Sequence, residues 1–201
     1  MSGEIPKDHM LTENKISLDY QTSRSPVREA FKTLENEGLI EFRRMGAIVK
    51  GLSKKDLLEL YDVRFLIEEF CFEKLAKHFT SNQYNQLNKI LDSMEVSAKY
   101  NDHIEFSYHD FCFHDTIIRL ANHERIFYLW NNIKHIVYCL LVMSTEIRFS
   151  QENKENTIKK MIEGHKLIID TLFSQDKTLL KKVVKEHYTD TIDTVVPAYF
   201  K

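Results

Sequence analysis

From residue 53 onward, apolar side chains return every three or four positions, over stretches long enough to be helices rather than strands. Leu57, Leu58, Leu60, Tyr61, Val63, Ile67, Cys71 and Leu75 mark a first helix, with Ser53 placed to cap it. Ser81 opens a second, carrying Tyr84, Leu87, Ile90, Leu91 and Met94. The same periodicity predicts helices over 103–120, 126–148, 156–173 and 178–199. Six helices joined by short loops describe an all-α bundle.

The first fifty residues are patterned differently. Thr12 precedes a short helical stripe over 11–18, and a brief connection leads to a second helix. There Ser25 is placed to cap, Pro26 to occupy the first helical position and Glu29 to close a capping box. Val27, Ala30, Phe31 and Leu34 form the expected buried stripe, and Gly38 ends the helix. Two short alternating runs, 39–44 and 47–50, flank Met45-Gly46 and predict a hairpin. The order helix, turn, helix, hairpin is that of a winged helix-turn-helix. Three of five glycines and two of three prolines lie in this part. The expected division is therefore 1–51 and 52–201, and the fold class is mainly α.

Composition narrows the function classes. With 43% hydrophobic and 29% charged residues in 201, the chain is neither a disordered tail nor a membrane protein. Its longest uninterrupted apolar run, residues 136–143, is far below the roughly 18 residues of a membrane span. Three widely spaced cysteines and a start without an apolar signal core fit reduced thiols and a cytoplasmic location. The net charge of -2 offers no reason to expect nucleic acid. The local pattern differs: Arg24, Ser25 and Arg28 sit where a recognition helix meets base edges and phosphates, and Arg43 and Arg44 sit beside Gly46 at the hairpin tip. The alternative is a solvated helix with ordinary surface arginines.

In the bundle, Asp110 and His114 are four residues apart and share a helix face. His165 and His187 lie on two later helices. Three helices could thus deliver one carboxylate and three imidazoles to the bundle interior, a mixed set suited to zinc first, with nickel, manganese or iron as alternatives; a surface or satisfied core role is the alternative for each histidine alone. His9, His78, His103, His109, His123 and His135 read as ordinary surface or core histidines. No nucleophilic triad and no phosphate loop is present.

The run Ser23-Arg24-Ser25-Pro26-Val27-Arg28-Glu29-Ala30, followed by Leu34-Glu35 and Glu37-Gly38-Leu39, resembles the DNA-binding signature of the GntR family of bacterial transcription regulators. The resemblance implies operator contacts by Arg24, Ser25, Arg28, Arg44 and Gly46. That family's domain has a further helix ahead of the 3–11 region, so the first domain is expected to lack its first helix. Leu60-Tyr61-Asp62-Val63-Arg64 with Glu68, Asp110 with Phe113-His114, Ala121-Asn122, and His165 with Asp176 and His187 resemble the FCD-type effector domain of the FadR subfamily. In its metal-binding branch the resemblance implies Asp110, His114, His165 and His187 as ligands of a divalent metal. It also implies a small carboxylic acid bound beside that metal, and Arg64 is a candidate partner for the acid. An i,i+4 salt bridge with Glu68 is the alternative for Arg64. The function expected is a homodimeric, ligand-responsive regulator reading a palindromic operator, away from membranes. A metal-dependent helical hydrolase is the other class considered.

Overall fold

The computed structural model describes residues 5–200 and divides into two compact units, Met1–Leu57 and Leu58–Lys201. In the first unit, strand β1 (Met10–Leu11) precedes helices α1 (Glu13–Asp19) and α2 (Arg24–Asn36), then strands β2 (Ile40–Arg43) and β3 (Gly46–Val49). The strands form an antiparallel sheet in the order β1-β3-β2, with Met10 opposite Ile48 and Phe42 opposite Ala47. Leu11, Val27, Phe31, Ile40 and Ala47 make a small core, closed at its edge by Ile16, Leu34, Phe42 and Val49. This is the expected winged helix-turn-helix.

Local details differ from the sequence reading. The Thr12 side chain does cap α1, accepting from the Lys15 amide at 3.3 Å. Helix α2, however, starts two residues early, with Ser23 as its N-cap and no side-chain capping bond. Pro26 is therefore the third helical residue, still within the first turn, whose N–H groups lack an intrahelical acceptor. Glu29 pairs with Lys32 at 2.8 Å instead of capping. Ala30 is exposed, because it lies about 60° off the centre of the Val27–Phe31–Leu34 stripe. Gly38 takes a left-handed φ of +73°, and its amide and that of Leu39 bond back to Glu35 and Leu34, a Schellman ending. Strand β1 was not foreseen at all.

Six helices follow along the chain: α3 (Lys54–Leu75), most of which lies in the second unit, and then α4 (Ser81–Lys99), α5 (His103–Leu120), α6 (Glu124–Phe149), α7 (Lys154–Ser174) and α8 (Lys177–Tyr199). Most of their starts are closed by side chains, α7 being the exception. Ser53 and Asp56 exchange bonds at α3, Thr80 and Gln83 form a capping box at α4, and Asp102 and Asp176 cap α5 and α8. Helix α6 is long and apolar enough by length and composition to cross a bilayer, which counting uninterrupted runs misses. Here it is a bundle helix, with Trp130, Val137 and Leu140 fully buried. The core runs through Phe106, Phe113, Ile117, Ile168 and Leu172. The Trp130 indole, within it, donates to Asp115 at 2.8 Å.

Candidate metal centre and nucleic-acid interface

The bundle brings all four expected ligand residues together. Asp110 and His114 face inward from adjacent turns of α5, His165 comes from the middle of α7 and His187 from α8. One ring nitrogen of each histidine lies within 4.8 Å of the others. The His165 Nε2 is 2.9 Å from Asp110 Oδ1, the His114 Nε2 is 3.4 Å from the same oxygen, and the His187 Nε2 is 3.4 Å from the His114 Nε2. Neighbouring ligands of an ion at about 2.1 Å stand roughly 3.0–3.4 Å apart, so these separations suit a shared cation.

The outer nitrogens decide what the inner ones offer. His165 Nδ1 faces the Met161 carbonyl at 2.8 Å, and a carbonyl only accepts, so Nδ1 carries the hydrogen. His114 Nδ1 faces the Glu68 carboxylate at 2.5 Å and donates likewise. In the neutral rings both Nε2 atoms then present lone pairs toward Asp110, another acceptor. A cation between them resolves that clash, and outer carbonyl and carboxylate partners of this kind orient metal-bound histidines.

Electrostatics reinforce the arrangement. Burial alone raises the Asp110 carboxyl pKa, but the neighbouring His165 and His114 imidazoles, which favour its charged form, outweigh it and hold the group well below its usual range. Burial opposes ionisation of Glu68 too, yet His114 and Arg64 bring it down to about 2. His187 is pushed well below its ordinary value by burial and by the neighbouring His165 and His114, which keeps it neutral and available as a donor. For His114, burial disfavours the charged form, but Glu68 wins and the pKa rises.

Arg64, expected as a partner for the acid, sits in an interior ion pair, with its Nη2 buried and without a hydrogen-bond partner. Its Nε donates to Glu68 at 2.7 Å, with side-chain exposures of 1% and 0%, and its guanidinium lies over the Tyr188 ring. It does not line the cavity beside the histidines. The ion pair weighed as an alternative is the one that forms, in the interior rather than on the helix surface. Glu68 thus bridges Arg64 to His114, a link the i,i+4 spacing only half revealed. The cavity arginine is Arg148, from the last turn of α6, which sequence reasoning passed over. Lys160 of α7 also lines this cavity.

In the first unit, Arg24, Ser25 and Arg28 are exposed at the start of α2, and Arg44 is exposed in the turn between β2 and β3. A hollow of about 270 Å³ is lined by Arg24, Arg28, Arg43, Arg44 and Gly46, together with Glu13, so helix tip and wing tip share one surface. Glu13 is an acidic residue that spacing did not reveal. It takes two bonds from Arg28, at 2.8 and 2.7 Å, and one from Arg24 at 3.4 Å. The Arg28 bonds lower its pKa. Gly46 has an architectural reason as well: at its φ of +153° a Cβ would lie 2.2 Å from the Leu11 carbonyl oxygen of β1.

Comparison with known proteins matches two family models in chain order. Residues 1–49 match the bacterial regulatory proteins of the gntR family, and residues 59–190 match the FCD domain. The gluconate operon transcriptional repressor of Bacillus subtilis (strain 168) is 39% identical over 195 residues, spanning 97% of this chain and 79% of that protein. That of Bacillus licheniformis is 37% identical over 190 residues, spanning 94% and 77%. Among solved structures, E. coli McbR/YncC superposes with a TM-score of 0.76 at 17% identity, covering 98% of this chain and 91% of that one, a likeness of fold.

Proposed function

The chain belongs to the GntR family of bacterial regulatory proteins, joining that family's DNA-binding domain to an FCD domain, and from that premise we propose a metal- and acid-responsive operator switch. Its relatives are transcription regulators, and the hydrolase alternative is set aside. In this reading the protein is a cytoplasmic homodimer acting as a repressor. Arg24, Ser25 and Arg28 read a palindromic operator, with Arg44 and the Gly46 turn reaching the adjacent groove. Exposed Val63, Leu66 and Phe70 follow one stripe of α3 and favour pairing with a second copy.

The observation that carries the sensing half is the convergence of Asp110, His114, His165 and His187, of which Asp110 and His187 line a cavity of about 410 Å³. These four would hold a divalent metal, zinc first. When bound, the ion supplies positive charge that draws a carboxylate. The chain's own part is to fix the donors: Met161 and Glu68 set the ring orientations, and Phe113 stands edge-on to His165 at 4.8 Å between centroids. Because the named relatives govern gluconate operons, a sugar acid such as D-gluconate is the first acid to try. Ligand occupancy would act on operator affinity as a coupling of roughly 5–150-fold.

Selection from a pool of randomised duplexes at fixed salt tests the reading half. A two-fold symmetric site should emerge, and a pool that stays random contradicts it. Fluorescence anisotropy on the selected site, with zinc-loaded protein and D-gluconate added, then measures the coupling.

A further inference from the structure

The cavity beside the histidines is also lined by a buried arginine. Its wall includes Asp110, His187 and Arg148, and its volume of about 410 Å³ falls within the roughly 300–1,000 Å³ of small-molecule sites. The Arg148 guanidinium is fixed by neighbours on α6 and α8. Nη1 donates to the Ser144 hydroxyl, and Nη2 donates to the Asp190 carboxylate at 2.6 Å, the Asp190 carbonyl at 3.2 Å and the Thr194 hydroxyl at 3.0 Å. The ion pair is unequal, since the Arg148 side chain is 3% exposed and that of Asp190 is 70% exposed.

That asymmetry has a consequence. A buried guanidinium keeps a carboxylate partner, because leaving it uncompensated is costly. Asp190, already largely in water, loses little by turning outward. Arg148 is thus permanent and Asp190 exchangeable. We propose that Arg148 is the carboxylate-recognising residue of this cavity and that Asp190 is a placeholder which a ligand carboxylate displaces. Gln151, Thr157 and Thr191 line the same wall, which suits an acid bearing hydroxyl groups and disfavours a fatty acid. Asp190 follows His187 by three residues on α8, so exchange at Arg148 acts on the helix that carries a candidate ligand. The inference rests on the acid-effector reading above and assigns a further residue to it.

Calorimetric titration of the zinc-loaded full chain tests it, with D-gluconate against D-glucitol, a neutral polyol of the same length. Wild type should bind the acid and not the polyol. Asp190→Asn should bind the acid several-fold more tightly, because a neutral amide is displaced more cheaply. Arg148→Lys keeps the charge but not the fork, and should lose at least about tenfold. Should Arg148→Lys fail to fold, the exposed Asp190→Asn decides alone. Acid binding that ignores both substitutions, or that weakens in Asp190→Asn, overturns the assignment while leaving the acid-effector reading intact. If wild type gives no heat with the acid, that reading falls and the assignment falls with it.

Discussion

Two charge clusters in this chain are built from the same chemistry at the same distance. At the reading surface, Arg28 grips Glu13 at 2.7 Å while 53% of the arginine side chain stays in water. In the bundle, Arg64 grips Glu68 at 2.7 Å with neither more than 1% exposed. Solvent makes the difference. The first pair is screened and readily exchanged, so Arg28 can leave Glu13 for a phosphate or a base edge. The second cannot be undone without stranding a charge, so it serves as a fixed strut for His114. In the proposed reading, the DNA-facing surface is exchangeable and the metal centre rests on a rigid interior network.

Cutting the strut should give the largest effect. Glu68→Ala strands the buried Arg64 and should cost the bundle about 3–5 kcal/mol. Chemical denaturation followed by the fluorescence of Trp130, the one tryptophan in the sequence, reports this. A midpoint equal to wild type would show that the interior pair is no strut.

Acid should dissolve the same network. Glu68, at about 2, and Asp110, well below its usual range, bind protons more weakly folded than unfolded. Their contribution is complete above the ordinary carboxylate value of about 4 and is lost as pH falls toward 2. His114 has the opposite sign: its raised pKa contributes stability below about 6.5 that is lost as pH rises. Metal-free protein should therefore lose denaturation midpoint steeply between about pH 4.5 and 2, and Glu68→Gln should flatten that fall. A wild-type profile without slope there contradicts the account.

At the reader, effects should fall on binding and leave folding alone. Arg28→Ala should weaken operator binding roughly 10- to 100-fold at fixed salt with little change in denaturation midpoint. Glu13→Gln should have the smallest effect and a distinct one. It removes a negative charge facing DNA and frees Arg28, so affinity for random duplex should rise while preference for the operator falls. Anisotropy on both duplexes measures that ratio, and an unchanged ratio would remove Glu13 from the reader.

Most of the helical framework was legible in the sequence, because each bundle helix buries a stripe whose period shows in one dimension. The edges were less so. Strand β1 has two residues and no alternation to detect, and α2 begins at Arg24, two residues ahead of the expected start, which Pro26 permits because it tolerates any place in the first turn. In the site, Asp110 and His114 were legible from their spacing, and His165 and His187 from resemblance. The partners that give the site its chemistry were not. Glu68 meets His114 across 46 residues, Arg148 meets Asp190 across 42, and Glu13 meets Arg28 across a turn. Such pairings are properties of the packed molecule, without a periodic signal.

Titration of the metal-stripped full chain with zinc, read by calorimetry at neutral pH, tests the central claim most directly. One equivalent should bind per chain, and His165→Ala should abolish it. Wild type without a one-to-one transition, or a His165→Ala chain that binds zinc as tightly, would contradict a metal centre at Asp110, His114, His165 and His187.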